Sequence, residues 1–547
     1  MVFGAGALRR GVFAVLAILS LCIALQTPSH AAGRPSKLDA VLLEPPVGLV
    51  RVIVSTTPGQ TATVAARLRQ RRRVVAKQYS LINAVAAELA ADDLTALDAD
   101  PSVTSVSIDA VVVSDAASNA SSAAGPRTLL ATLGLPLPGL TGKGVGVAVI
   151  DSGLQENGDF SAATFYDFTS ERAGGPSDEY GHGTHVSGLI ASKGSLSQGA
   201  YVGIAPKVRL VSLKVLDGQG YGSTSRVIEA LEFATVNRAA LGIDVINMSL
   251  GHPIFAPANT DPLVQAVEAA VDAGIVVVVS AGNVGKSLTT GLPGYAGILS
   301  PANAPSAITV GAVDTRDTTI RGDDAVTAYS SRGPTWYDAF PKPDIVAPGQ
   351  DLVSDAAIGS TLYARLPDRQ VAGVGGAARF LRLNGTSMSA AVTTGIVALM
   401  IEASRSAYGI APPPRTIKEI LAYTALAVSG ADPLTQGHGA VNASGAVSLI
   451  LAAGATGWPA TGAPVPPLSP ITVIGGETWT WGQAADWGDT VVWGSTTNDT
   501  APTWAQTVVW GNVDWDTVVW GNADSIGWGD TVVWGSTVVW GNGHDFP

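Results

Sequence analysis

The sequence predicts an α/β fold for the central part of the chain, with a mainly parallel sheet that carries helices on both faces. From about residue 139, short runs of β-branched residues alternate with helical patterns, the order that produces parallel strands joined by helices. The runs are almost continuously apolar, as expected of strands buried on both faces. Polar residues follow directly after two of them, at the strand ends where open α/β sheets place their ligand sites.

Each element of this region has its own pattern. Strands are predicted at 144–150, 208–215, 245–249 and 275–279, and helices at 182–192, 223–240 and 262–273. A longer buried helix is predicted to begin at Ser387, because the apolar stretch 390–401 follows it.

The N-terminus has the pattern of a signal peptide over residues 1–32. Arg9-Arg10 supplies the charged segment and 12–25 the apolar run, and small residues then provide a cleavage site. A retained membrane anchor is disfavoured because the run is shorter than the roughly 20 residues needed to span a bilayer. Lipidation of Cys22 is the other, less favoured alternative. We therefore expect a secreted protein, extracellular or at the cell surface, whose mature form has no cysteine and no disulfide.

Residues 33–125 are predicted to form a separate small α+β domain. Its elements follow the order strand–helix–strand–helix–strand, with strands at 50–54 and 103–113 and helices at 61–71 and 92–98. The segment 114–126 is small, polar and unpatterned, which is typical of an exposed and cleavable linker.

The C-terminal part of the chain has a different composition. A Pro-rich linker at 456–475 leads to a Trp-rich repeat tail at 476–547, where Thr-Val-Val-Trp-Gly occurs five times. Short Val/Trp strands between Gly-Asn or Gly-Asp turns predict β-hairpins. The tail is expected either to contact the cell envelope or a polysaccharide, or only to pack on itself. In both cases we expect turnover to survive truncation after about residue 457.

The charge distribution argues against nucleic acid as a partner. The formal net charge is −12, and Lys and Arg cluster only in the N-terminal quarter of the chain.

Four motifs supply the parts of a serine-protease site in one order along the chain. Ser387 lies where its backbone N–H and the positive end of a helix would face a developing oxyanion. His182 is the candidate base, since a neutral imidazole can take the serine proton. Asp151 ends a buried strand and would orient the imidazole. Asn283 follows another strand and would donate its amide to the oxyanion.

Each of these residues also has a structural interpretation. Ser387 could be only a helix cap, Asn283 a turn residue and Asp151 a cap to its turn. His182 and His185 could form a metal pair, but no carboxylate or cysteine stands at ligand spacing, so no metal is predicted there. The glycines that flank His182 are expected to let it approach substrate and nucleophile closely. Four such motifs together favour catalysis.

On these motifs the chain resembles the subtilases, or subtilisin-like serine proteases, over about residues 139–450. The matching segments are Asp151-Ser152-Gly153, 182–186, 280–283, 385–389, 329–334 and 343–349. The resemblance implies that Asp151, His182 and Ser387 are the catalytic triad and Asn283 the oxyanion donor, within a catalytic domain at 126–455. Ser187 and Ala391 depart from the family pattern without removing a reacting group.

The resemblance also implies roles for the flanking segments. Residues 33–125 correspond to the family's inhibitory propeptide, so the chain's own propeptide is an expected partner. Gly220-Tyr221-Gly222 and Ser249-Leu250-Gly251 correspond to the two segments that pair with an extended substrate. The chemistry needs no cofactor, and structural calcium is left open because no clear match to the family's strongest calcium loop is present.

The leading hypothesis is a secreted serine endopeptidase that acts on proteins or peptides and processes its own zymogen. One alternative is a processing protease or peptide ligase that uses the same acyl-enzyme. A second is a surface or polymer-binding protein in which the Trp-rich tail is primary, against which the intact four-part site argues.

Overall fold

The computed structural model describes residues 36–114, 129–160, 163–170, 174–286, 293–454 and 469–482, together with the backbone of four short strands in the tail. The predicted signal peptide, the linker 114–126 beyond its first residue and most of the repeat tail lie outside the described residues.

A mainly parallel sheet forms the centre of the molecule, which confirms the predicted fold class. The strands are β6 (Gly146–Asp151), β7 (Thr164–Asp167), β8 (Arg209–Lys214), β10 (Val245–Met248), β12 (Val276–Ser280), β13 (Ile308–Asp314), β14 (Ala325–Val326) and β15 (Ile345–Pro348). The strand order is β14-β13-β12-β10-β6-β8-β7, with β15 also paired to β13, and only β14 runs antiparallel.

Helices cover both faces of this sheet because alternate residues of each strand are apolar on opposite sides. Val147, for example, lies in the core cluster of one face and its neighbour Ala148 in that of the other. The helices of this domain are α3 (Leu129–Thr132), α4 (His182–Ala191), α5 (Thr224–Val236), α6 (Arg238–Leu241), α7 (Pro262–Asp272), α8 (Thr361–Arg365), α9 (Thr386–Tyr408), α10 (Pro414–Thr424), α11 (Pro433–Gln436) and α12 (Ala443–Gly454).

Helix α9 runs through the core. It is long and apolar enough to cross a membrane, but its apolar window is wholly buried within the protein. Its length and composition are therefore those of a core helix, and its first turn carries Ser387.

The N-terminal domain is an antiparallel sheet with two helices on one face. Its elements are β1 (Val50–Thr56), α1 (Thr61–Gln70), β2 (Val75–Tyr79), β3 (Ala84–Leu89), α2 (Ala91–Asp98) and β4 (Val103–Ile108), in the sheet order β2-β3-β1-β4. Val52 and Val54 pack under the helices, whereas Ile53 joins the core of the central domain. The sheet therefore lies between its own helices and the central domain.

The predicted strand 103–113 is divided in the structure. It breaks at Asp109, whose carboxylate accepts the Ser225 N–H and hydroxyl, each at 2.8 Å, at the start of α5. Arg51 pairs with the same carboxylate at 2.7 Å. After this anchor, β5 (Val111–Ser114) leaves the N-terminal sheet and joins β9 (Tyr221–Ser223) and β11 (Leu250–Gly251) of the central domain. Periodicity alone does not mark this break, because the apolar pattern continues across it.

A hairpin after the Pro-rich segment packs into the central domain. Its strands are β19 (Ile471–Ile474) and β20 (Glu477–Thr480), and Ile474 and Trp481 are buried in the main core cluster. The linker predicted from composition extends to residue 475, but the structure places its last part in the core. The mixed apolar and Thr pattern of this segment fits a strand with one buried face.

Three shorter antiparallel groups complete the described structure. One contains β16 (Leu352–Asp355), β17 (Gln370–Ala372) and β18 (Ala378–Leu383). In the tail, β21 (Val509–Trp510) pairs with β22 (Val518–Val519), and β23 (Val532–Trp534) pairs with β24 (Val538–Trp540). The expected contact of the tail with the cell envelope or a polysaccharide stays a prediction.

Candidate active site

Asp151 and His182 are in contact at the carboxyl end of the central sheet. Asp151 is the last residue of β6 and His182 the first residue of α4. His182 Nδ1 lies 2.8 Å from Asp151 Oδ1 and 3.0 Å from Oδ2. The histidine is 0% and the aspartate 1% exposed, so this hydrogen bond is shielded from water.

The two glycines beside His182 allow close contacts within the protein. A side chain at Gly183 would meet the Gly153 carbonyl oxygen at 2.3 Å, and one at Gly181 would meet the Ser360 hydroxyl at 2.3 Å. Gly181 also has a φ of +99°, which favours glycine. These glycines let α4 approach the turn after Asp151 and the loop at Ser360.

Asn283 is hydrogen-bonded to Thr386, the residue that precedes Ser387. The Thr386 N–H and hydroxyl both donate to Asn283 Oδ1, at 3.1 and 3.3 Å, which fixes the orientation of the amide. The Ser387 hydroxyl donates to the Ser249 carbonyl at 3.4 Å, and the Ser249 hydroxyl donates back to the Ser387 carbonyl at 3.1 Å. Helix α9 packs directly against α4, so this group and the Asp151–His182 pair share one region of the domain.

His185 does not take part in a metal pair. Its Nε2 donates to the carbonyl oxygens of Leu352 and Leu381, at 3.2 and 3.0 Å. Complete burial lowers the pKa of His185 to about 3, and the nearby His182 acts in the same direction. His185 is therefore a neutral structural residue.

The two predicted substrate segments are occupied by the chain's own strand β5. Val111, Val112 and Val113 pair antiparallel with Ser223, Gly222 and Tyr221 of β9. On the other side, Val113 pairs with Gly251 and Ser114 with Leu250 of β11. Val112 is fully buried there, whereas Val111 is 62% exposed. The groove thus binds an extended main chain on both sides and encloses alternate side chains.

The N-terminal domain also contacts α5. Tyr79 donates its hydroxyl to the Ser225 carbonyl at 2.8 Å. Glu232 accepts from the N–H groups of Ser80 and Leu81, at 2.7 and 2.9 Å, and Lys77 pairs with Glu229 at 2.6 Å. These contacts hold β5 in the groove from one end.

The sequence motifs assigned no individual role to two residues that support the site. Ser152 and Asp178 lie at the centre of the hydrogen bonds that join β6 to α4. For Asp178 a signal was available, since an acidic residue shortly before a predicted helix is a candidate cap.

The described part of the chain offers little for a metal ion. No group of three or more His, Cys, Asp or Glu side chains within it is placed to hold one.

Comparison with known proteins agrees with this geometry. Residues 142–447 match the model of the subtilase family. Serine protease AprX of Bacillus subtilis is 37% identical over 315 residues, which cover 56% of this chain and 67% of that protein. Subtilisin E of the same organism is 35% identical over 328 residues, covering 60% and 72%.

A solved structure resembles the fold as well. Fervidolysin from Fervidobacterium pennivorans, a keratinolytic enzyme related to subtilisin, superposes with a TM-score of 0.57 at 19% sequence identity. The match covers 80% of this chain and 65% of fervidolysin.

The fold, the motifs and these similarities define a serine endopeptidase. The chain belongs to the subtilase family, whose chemistry needs no cofactor.

Proposed function

We propose that this subtilase is made as a secreted zymogen that cleaves its own N-terminal domain and then hydrolyses other proteins. The observation that carries the proposal is the position of β5, which lies between β9 and β11 and runs in the direction of Ser249, whose carbonyl contacts Ser387. Secretion rests on the signal-peptide pattern of residues 1–32.

In the proposed reaction, Ser387 Oγ attacks the peptide carbonyl while His182 Nε2 takes its proton. Asp151 holds Nδ1–H, so that Nε2 is the basic nitrogen, and it stabilises the imidazolium that forms. His182 then returns the proton to the leaving amine, which gives an acyl-enzyme on Ser387. Water repeats the sequence and releases the acid.

Asn283 is the proposed side-chain donor to the oxyanion. Because Thr386 donates to Asn283 Oδ1, the amide is oriented with Nδ2 as its donor end. The Ser387 N–H, in the first turn of α9, supplies a second donor near the positive end of that helix.

The register of β5 supports self-processing. As β5 advances from Val113 to Ser114, its partner in β11 changes from Gly251 to Leu250, so the pairing runs toward Ser249. The Ser249 carbonyl lies 3.4 Å from Ser387 Oγ. We therefore expect cleavage within about four residues after Ser114, where an extended chain reaches the nucleophile. These positions lie in the segment 114–126, which the sequence predicts to be a cleavable linker.

A pair of neighbouring substitutions tests this assignment. Val112→Asp would place a charge in a fully buried subsite and should slow self-cleavage by about 100-fold, whereas Val111→Asp points outward and should change it by less than threefold. The measurement is the half-time of conversion from full-length to mature chain, with N-terminal sequencing of the product. Equal half-times for the two variants, or a mature N-terminus far from Ser114, would contradict the proposal.

The activity of the mature enzyme should rise between about pH 6 and 7 to an alkaline plateau, because a protonated His182 cannot accept the serine proton. His185, with a pKa of about 3, stays neutral across this range. The acid side of the activity profile should therefore follow the titration of a single proton. The profile of kcat/KM on an uncharged peptide checks this without titration of the substrate. A maximum near pH 4 would require a different base.

A further inference from the structure

Asp178 lies four residues before His182 and is 4% exposed. Its Oδ1 accepts from the Ser152 hydroxyl at 2.8 Å and from the Gly181 N–H at 2.7 Å. Its Oδ2 accepts from the Thr184 N–H at 2.8 Å and from the Thr184 hydroxyl at 2.7 Å. Four donors thus satisfy one buried carboxylate.

These donors come from two different elements. Ser152 follows the end of β6, whereas Gly181 and Thr184 belong to the beginning of α4. Ser152 also accepts the Gly183 N–H on its hydroxyl at 2.9 Å, so it is held from both sides. Asp178 therefore connects, through hydrogen bonds, the strand that ends in Asp151 and the helix that begins with His182.

The same hydrogen bonds continue into the catalytic pair. The Ser152 N–H donates to Asp151 Oδ1 at 2.7 Å, the oxygen that lies 2.8 Å from His182 Nδ1. A closed chain of contacts runs from Asp178 through Ser152 to Asp151, then to His182, and back through the first turn of α4. Asp178 thus contacts both of the elements that carry the donor and the acceptor of the Asp151–His182 hydrogen bond.

We propose that Asp178 is a positioning residue of this protease, which sets the orientation of the His182 imidazole against Asp151 through Ser152 and the first turn of α4. The inference rests on the proposed function, because it assumes that His182 is the catalytic base. The effect is geometric: the general base must point at the nucleophile, and misplacement by about 1 Å can cost about 100-fold in rate.

A simpler interpretation is that Asp178 only caps α4. Another buried aspartate of the chain, Asp261, allows this interpretation to be tested. Asp261 caps α7 and is also 4% exposed. It accepts the N–H groups of Leu263 and Val264, at 2.8 and 3.4 Å, and the Ser300 hydroxyl at 2.7 Å. Both aspartates thus combine a helix cap with a serine hydroxyl, but only Asp178 is linked to the catalytic pair.

The test compares Asp178→Asn with Asp261→Asn in the full chain, matured by a trace of tagged wild-type enzyme that is then removed. We expect Asp178→Asn to lower kcat by about 100-fold with KM changed less than threefold, and Asp261→Asn to change kcat by less than threefold. The two variants should lose similar thermal stability, since in each of them an amide NH2 group replaces one acceptor oxygen of a buried, hydrogen-bonded carboxylate. In Asp178→Asn alone, the low-field NMR signal of the proton between His182 Nδ1 and Asp151 should shift or broaden.

Ser152→Ala provides a second route if Asp178→Asn does not fold. It leaves the Asp178 contacts to α4 in place, breaks the link to β6 and should lower kcat by about tenfold. An unchanged kcat and NMR signal in both variants, or equal losses of kcat for Asp178→Asn and Asp261→Asn, would overturn the positioning role. Asp151→Asn in the same assay separates the two proposals: if it too retains full activity, the proposed catalytic residues are wrong.

Discussion

Replacement of Ser387 by alanine should abolish turnover and leave the chain at full length. The substitution removes the proposed nucleophile, so neither external peptides nor the chain's own N-terminal domain can form an acyl-enzyme. In subtilisin, loss of the nucleophilic serine lowers kcat by about a millionfold, and we expect a loss of the same order here. Peptide hydrolysis and intact-mass measurement of the purified chain check both effects.

Ser389 supplies the matched control. It lies two residues further along α9, is equally buried and donates its hydroxyl to the Ala347 carbonyl at 3.0 Å. Ser389→Ala should cost about 1 kcal/mol in the free energy of unfolding and should still yield a mature, active enzyme. If Ser387→Ala were processed normally while free of contaminating protease, self-cleavage at this site would be excluded.

The part of the fold that the sequence predicts well is the part with strong local patterns. The strands β6, β10 and β12 are mainly apolar, and for these three and for β8 the predicted bounds agree with the observed ones to within about two residues. Helix α9 is predictable because a long apolar stretch follows Ser387. The secondary structure of such segments follows from their own hydrophobic pattern, so tertiary contacts are not needed to predict it.

Features that depend on distant partners cannot be predicted in this way. The strand 103–113 is broken because Asp109 binds Ser225, more than one hundred residues away. The glycines beside His182 pack against the Gly153 carbonyl and the Ser360 hydroxyl, contacts that only the folded structure brings together. The sequence motifs identify the candidate reacting groups, whereas the groups that orient them depend on tertiary contacts.

The packing of the C-terminal hairpin also depends on distant contacts that the sequence does not reveal. It changes the effect that we expect from truncation. Composition alone predicts that loss of everything after about residue 457 leaves turnover intact. In the structure, the Trp481 Nε1–H donates to the Thr472 hydroxyl at 3.0 Å, and Asn442 donates to the same oxygen at 3.1 Å. Trp481 is 2% exposed and its ring lies 6.0 Å from that of Tyr423. The hairpin is thus part of the core that surrounds α10 and α12.

A chain that ends at residue 482 should therefore retain wild-type stability, whereas one that ends at 457 should be strongly destabilised. Loss of a buried Trp alone costs about 3–5 kcal/mol, a large fraction of the roughly 5–15 kcal/mol that stabilises a typical domain. Thermal unfolding and peptide turnover of the two matured truncations measure the difference, which should be roughly 5–15 °C in Tm.

Single substitutions separate the hairpin's packing from chain length. Trp481→Ala in the full chain should reproduce most of the loss seen on truncation at 457, because it removes the buried ring and leaves the Thr472 hydroxyl without one of its donors. Trp336→Ala is the control, since that side chain is 55% exposed and should change the free energy of unfolding by less than about 0.5 kcal/mol. Equal unfolding temperatures for the chains ending at 457 and 482 would show instead that the hairpin contributes nothing to the catalytic domain, and that the domain ends before residue 457.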